Sequence, residues 1–368
     1  MTMATNKSTM TFADVFDLQM GKTPSRDNPS YWSGDNVWVS IADMKDRKYI
    51  DSSKETISDE AVKATGIREV PEGTVFMSFK LSIGKVAIAA RNLYTNEAIM
   101  QFPIKPGYEL SPEYLYFYLM GHKWQGANKA VMGVTLNKKR IAEECISFPS
   151  IKDQQHIVDE LNLLTGIIDK KNAQLRDLDA LSQSIFYEMF GDPIINEKGW
   201  TSKALGEACS LKAGKGIKAS ELSEELTTGL YPCFGGNGIR GYIAKKSHKG
   251  TYPIIGRQGA LCGNVQLASG EFYATEHAVV CTPGKGLQAI YTYYALLAMN
   301  LNQYATGVAQ PGLAVKSLLP LPIVIPPMEL QEVFAERVRG INMQKALLNG
   351  SLNQINTLYQ SRMAYYFD

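Results

Sequence analysis

Four residues near the start of the chain, Asn28-Pro29-Ser30-Tyr31, stand one substitution away from an arrangement that does chemistry. An Asn or Asp followed by two prolines and an aromatic ring holds the amino group of a DNA base for methyl transfer. Such a site also needs a glycine-rich turn from a strand into a helix to cradle S-adenosylmethionine. The literal Gly-x-Gly-x-x-Gly here runs from Gly236 to Gly241. It follows Tyr-Pro-Cys-Phe instead of an apolar strand and leads into Tyr-Ile-Ala-Lys-Lys instead of a helix, with no acid about 20 residues on. A Walker loop, a Gly-x-Ser-x-Gly elbow and nuclease-type Asp/Glu-x-Lys clusters are also missing from the sequence. Asn28 to Tyr31 therefore reads as a turn with Tyr31 and Trp32 packed behind it, and Gly236 to Gly241 as a loop in a β-rich unit. An autonomous adenine methyltransferase is the weaker reading.

Metal and redox chemistry find no better footing. The four histidines (His122, His156, His248, His277) include no pair at ligand spacing, and the five cysteines include no Cys-x-x-Cys. No structural metal is expected. Cys145, Cys209, Cys233, Cys262 and Cys281 read as buried, reduced thiols of a cytoplasmic protein. The first ten residues lack the apolar core of a secretory signal. Apolar runs such as residues 114–120 fall far short of the roughly 20 residues a membrane span needs. A net charge of +2 announces no nucleic-acid binder, so any basic surface must be local.

The elements that would position such a surface come from an internal repeat, which has to be sought before any fold is assigned. ISFPSIKDQQHIVDEL (146–161) matches IVIPPMELQEVFAERV (323–338), with Pro149 on Pro326 and Gln154 on Gln331. The same offset pairs Leu175 with Leu352, Leu178 with Ile355 and Phe190 with Phe367. Upstream, LQMGKTPS (18–25) echoes LKAGKGIK (211–218), and GVTL (133–136) echoes GVAQ (307–310). IGKVAIAARNLYTNEA (83–98) echoes CGNVQLASGEFYATEHA (262–278), the second with one residue more before its final Ala. The first copy carries about 16 additional residues between Lys22 and Gly73, counted from the two offsets.

Each copy ends in a long apolar stripe at alternating spacings of four and three, the seam of a coiled coil. In the first copy it holds Ile157, Leu161, Leu164, Ile168, Leu175, Leu178 and Ile185. In the second it holds Phe334, Val338, Ile341, Leu348, Leu352, Ile355 and Tyr359. A helix of this length, roughly 57 Å at 1.5 Å per residue, cannot bury its stripe on one small domain. The two stripes are expected to bury each other within the chain, antiparallel about a pseudo-twofold axis, with one globular unit at each end. The fold class is then α+β. Two mixed α/β domains are separated by two long antiparallel helices that form an intramolecular coiled coil. The expected boundaries are a flexible lead over 1–10, a first domain over 11–150 and a first helix over 151–190. A linker over 191–200, a second domain over 201–328 and a second helix over 329–368 follow.

The helices are acidic to neutral, so the excess positive charge lies on the globular units. Their strand-like runs (37–41, 74–79, 85–90 and 98–104 in the first) alternate with turn signals, and each unit has one aromatic helix, 111–121 and 287–300. Tyr116, Tyr118, Tyr293 and Tyr294 read as packing. Basic and amide residues gather in the loops at comparable places in both copies. Lys and Arg reach phosphates, and Arg, Asn and Gln also read base edges. The candidates are Lys22, Thr23, Arg26, Lys80, Lys138, Lys139 and Arg140 in the first unit. In the second they are Lys215, Lys218, Asn237, Arg240, Arg257 and Gln258.

Taken together, GKTPSRDNPSYW followed by VWVSIADM, FPSIKDQQHIV at the start of the first helix and MFGDPIINEKGW (189–200) after it resemble the specificity subunit of type I restriction–modification systems. The resemblance covers nearly the whole chain. It implies a non-catalytic protein with two target-recognition domains, each reading half of a split site in double-stranded DNA. It implies helices that set the unread gap and dock two methyltransferase subunits, and it leaves room for restriction subunits. S-adenosylmethionine would then sit on the partner methyltransferase, with no cofactor on this chain. The alternative from another class is a coiled-coil adaptor that binds proteins and no nucleic acid.

Overall fold

The computed structural model describes residues 10–45, 47–80, 82–124, 136–259, 261–307 and 311–367. The expected lead over 1–10 lies almost wholly outside these residues, as do most of GVTL and GVAQ. Two compact units emerge, Met1–Lys170 with Leu352–Asp368, and Lys171–Ser351.

Unit 1 is built on a five-stranded sheet. Its strands are β1 (Gln19–Met20), β2 (Tyr49–Ile50), β3 (Val75–Ser78), β4 (Val86–Ala89) and β5 (Ile99–Phe102), in the order β1-β5-β3-β4-β2. β3 and β4 are buried on both faces, which is why their sequences are continuous apolar runs without alternation. Helix α1 (Pro112–Gly121) packs on the sheet. Tyr114, Leu115, Phe117 and Leu119 are all buried in the core cluster, the burial expected of a helix that is apolar all round. A small three-stranded sheet (Glu55–Ile57, Asn36–Val39, Tyr94–Thr95) and the helix Asp59–Thr65 complete the unit; Glu55–Ile57 and the helix lie in the stretch that carries the extra residues of this copy.

Helix α2 runs from Ile151 to Phe190, its first half in unit 1 and the remainder in unit 2. Unit 2 then repeats the first sheet. Its strands are β6 (Cys209–Ala213), β7 (Tyr231–Gly235), β8 (Gly238–Ile243), β9 (His248–Gly256), β10 (Val265–Ala274) and β11 (Ala278–Pro283), in the order β6-β11-β9-β10-β7-β8. The first four positions match unit 1 strand for strand. The counterpart of β7 lies in the small sheet of unit 1, where Val39 pairs in parallel with Thr95 as Phe234 does with Ala274, whereas β2 pairs with β4 at Tyr49 and Ile88. Helix α3 (Ala289–Ala298) takes the place of α1, and α4 (Met328–Phe367) is the second long helix.

None of the seam residues on α2 or α4 is exposed. In unit 2 the helices run antiparallel: Asp179 pairs with Lys345, and further along α2 Phe186 and Phe190 close on Phe334 near the start of α4. In unit 1 Glu160, near the start of α2, takes Arg362 at 2.7 Å and the hydroxyl of Tyr366 near the end of α4. Burial, reinforced by that carboxylate, pushes the Tyr366 phenol up to about 12. The stripes do not bury each other alone, however. The off-seam residues Val158 and Met363 join the core of unit 1, and Phe186 and Phe190 that of unit 2. Both helices are therefore part of each unit's core.

Candidate nucleic-acid interface

The shared framework begins with one glutamine per copy. Gln154 is fully buried at the start of α2. Its amide accepts from Ser111 N (2.8 Å) and donates to the carbonyls of Glu109 and Pro149 (both 2.9 Å). Gln331, equally buried, accepts from Gln288 N (2.8 Å) and donates to Gly286 (2.9 Å) and Pro326 (2.7 Å). Each amide thus ties the start of a long helix to the start of the aromatic helix. This is the physical content of the Pro-x-x-x-x-Gln string. Within unit 2, Gly191 takes φ +75° at the end of α2, and Trp200 Nε1 donates to Phe190 O at 2.9 Å.

The glycine–lysine pair after the first strand is also duplicated. A Cβ on Gly21 would lie 1.9 Å from Thr95 O, and one on Gly214 would lie 2.0 Å from Ala274 O, so only glycine lets these loops pass. Lys22 N and Lys215 N donate to those same two carbonyls, and Gly21 N and Gly214 N to Ile99 and Ala278. Thr95 therefore matches Ala274 and Ile99 matches Ala278. The extra residue expected before Ala278 does not exist; Glu97 stands opposite Glu276 and Ala98 opposite His277.

Most of the sequence-predicted residues lie in the loops at strand ends of each unit, around these close approaches. In unit 1, Phe79 N bonds Ala98 O and Leu136 N bonds Phe79 O. That brings the half-buried Lys80 beside the short helix Lys138–Glu143, whose Lys138, Lys139 and Arg140 are exposed. Asn137 caps that helix through Arg140 N at 2.9 Å. Lys139 Nζ lies 4.0 Å from Glu143, and three further candidates have closer partners inside the unit. Lys22 Nζ donates to Thr65 O (2.7 Å), Thr23 to Glu97, and Arg26 grips Glu55 with both nitrogens while stacking 3.6 Å over Trp32. The hydrogen bonding that Arg26 donates to Glu55 raises its guanidinium pKa. Asn28 caps a short turn over Pro29–Trp32, with Tyr31 and Trp32 packed against Trp38 and Ile57.

In unit 2, Gly236 to Gly241 is the β7–β8 hairpin, with Asn237 at its turn accepting from Asn264 Nδ2 at 2.8 Å. The hairpin sits against the end of β9. Lys215, Lys218, Asn237, Arg240 and Gln258 are exposed, and Arg257 is half-buried. A cleft of about 420 Å³ opens among Asn237, Gln258, His277, Pro311 and Gly312. Two residues that the search for basic groups missed sit here. His277 Nε2 lies 3.3 Å from Glu276 Oε1, and both side chains reach the surface. The shared Glu beside the Gly-Lys echo was the available signal. Cys145 is exposed, contrary to expectation, while the other four cysteines are buried and none is in a disulfide. Among the described residues no cluster of His, Cys, Asp and Glu is arranged to hold a metal ion, and no helix is long and apolar enough to cross a membrane.

The type I restriction modification DNA specificity domain matches this sequence twice, over residues 5–177 and 197–357. The chain belongs to that family. The specificity subunit of the Escherichia coli type I restriction enzyme EcoprrI is 34% identical over 335 residues, covering 86% of this chain and 83% of its own. The MjaIX specificity subunit of Methanocaldococcus jannaschii is 26% identical over 382 aligned residues, covering 91% and 88%. The fold is shared with the crystal structure of the type I system S subunit from M. genitalium, at a TM-score of 0.62 and 15% identity, covering 100% of this chain and 98% of that one. Specificity subunits are non-catalytic recognition proteins, which agrees with the absent methyl-transfer motifs.

Proposed function

We propose that each unit reads one half of a bipartite site in double-stranded DNA and that α2 and α4 set the unread interval between the halves. The same helices dock two methyltransferase subunits, which carry S-adenosylmethionine; restriction subunits join that complex, and this chain binds no cofactor. One observation carries the reading: the chain holds two copies of one framework, alike in strand order and glutamine clamp, whose polar loop ends differ. Two such heads suit two different half-sites. In unit 1 the DNA contacts are Lys22, Thr23, Arg26, Lys80, Lys138, Lys139 and Arg140. In unit 2 they are Lys215, Lys218, Asn237, Arg240, Arg257 and Gln258. All contact phosphates or bases; Lys22, Thr23 and Arg26, which are exposed, do so from side chains that also brace their own loop. Methylome sequencing of a host carrying this chain with its methyltransferase subunit is the test. A bipartite adenine motif is expected, and a methylome without one refutes the reading.

A further inference from the structure

The repeat supplies an internal control for the cleft in unit 2. In unit 1 the carboxylate of Glu97 accepts from the hydroxyl of Thr23. In unit 2 the residue opposite Thr23 is Gly216, and Glu276 keeps Oε2 buried with no hydrogen-bond partner in the protein. The backbone register also places Arg257 opposite Phe79, since Arg257 N bonds His277 O as Phe79 N bonds Ala98 O. The Arg257 Nε and the His277 Nδ1 are buried without partners as well. Where unit 1 has an apolar ring, a methyl group and a capped acid, unit 2 has three unpaired polar atoms, and of their residues His277 lines the cleft together with Gln258, with Glu276 and Arg257 adjoining these two in the chain. Buried polar groups are normally satisfied, so such a cluster calls for an explanation.

We propose that Glu276 and His277, with Gln258 at the rim, read the exocyclic amino group of one cytosine or adenine in the half-site of unit 2. This rests on the proposed function. A carboxylate has only acceptors to offer, so it selects base edges that present an amino donor and repels guanine O6 and thymine O4. The Gln258 amide offers both a donor and an acceptor for the neighbouring edge. Arg257, a DNA contact of the proposed function, also holds the loop through its backbone bonds to His277 and Leu313.

The test compares methylomes from the chain and its methyltransferase subunit with those of Glu276→Gln, His277→Ala and Gly216→Thr. The last two install the residues of the first copy. Gly216 has no left-handed φ, and a Cβ there meets Glu276 Oε2 at 3.5 Å, an ordinary contact. Threonine should cap the acid as Thr23 caps Glu97, leaving the fold as stable while withdrawing the reader. Each variant should lose roughly 5- to 150-fold discrimination at the same base pair of one half-site, the other half being unchanged. A relaxed C·G pair identifies cytosine and a relaxed A·T pair adenine. An unchanged motif in folded Gly216→Thr and Glu276→Gln overturns the inference, as does a uniform loss of methylation at every site. A wild-type methylome with no bipartite motif sinks the functional reading itself, and is told apart by that.

Discussion

Replacing Gln331 by alanine removes three hydrogen bonds at a point where water has little access. The Gln288 N–H and the Gly286 and Pro326 carbonyls all lose their partner, and the side chain that served them is fully buried. A typical bond contributes about 1 kcal/mol net, and a group left dry and unpaired costs about 1–3 kcal/mol. The lost packing of a large buried side chain adds to that. Three groups left unpaired at that cost come to about 3–9 kcal/mol, a substantial share of the roughly 5–15 kcal/mol that holds a domain. Gln331→Leu keeps the volume without the bonds and should be no better. Gln331→Glu should be worst, because its carboxylate faces two carbonyl oxygens and can serve only the single N–H. Urea denaturation followed by circular dichroism gives the measurement, read from the shift in midpoint at constant slope. Gln154→Ala should behave alike in unit 1. If either alanine variant costs less than about 1 kcal/mol, or glutamate is tolerated, the clamp is not what joins the long helix to the aromatic helix.

Glu113 makes unit 1 acid-sensitive. Burial pushes its pKa up from 4.5, but the hydrogen bond from Tyr49, the Lys48 ammonium and the Asn162 amide more than reverse this, and the folded value is lowered. A lowered carboxylate pKa stabilises the fold above the unfolded value, and that stability drains away as pH falls below about 4.5 through the folded value. Wild type should therefore exceed Glu113→Gln in urea stability at pH 7, with the gap closing by pH 3; a gap constant across that range contradicts the assignment. Arg240→Ala should relax one base pair of the second half-site if it reads a base, at about 1–3 kcal/mol, or weaken all sites alike and flatten the salt slope by about 1 if it holds a phosphate. A methylation assay that leaves every target unaffected removes Arg240 from the interface.

What was legible in the sequence is what periodicity and repetition encode. The seam spacing located both long helices, and the continuous apolar runs located β3, β4, β9 and β11. Pro149 and Gln154 with their counterparts marked the helix starts, although the reason, a three-bond clamp, needs coordinates. Alternating spacing alone could not show that Val158, Phe186, Phe190 and Met363 turn from the seam into the cores, because those positions look like ordinary flank residues. String matching misplaced one residue before Ala278, since the shared alanine outweighed a backbone register that only hydrogen bonds reveal. A search keyed to positive charge passed over Glu276 and His277. Lys22 and Arg26 read from the sequence as candidate DNA contacts, and the fold adds a second role to each, Lys22 at a helix end and Arg26 in an ion pair.

The two copies also separate what folding requires from what recognition requires. Where a side chain completes backbone hydrogen bonding, as at Gln154 and Gln331, or where only a hydrogen fits, as at Gly21 and Gly214, the copies agree. Departure there would leave dry polar groups or a clash, and every half-site would be lost together. At the loop ends the exposed Thr23 stands opposite the exposed Gly216, a position where the register is carried by backbone atoms alone. Side chains at such positions can be exchanged with little effect on the fold. A protein whose task is to discriminate among DNA sequences can vary its readers only where the framework does not depend on them.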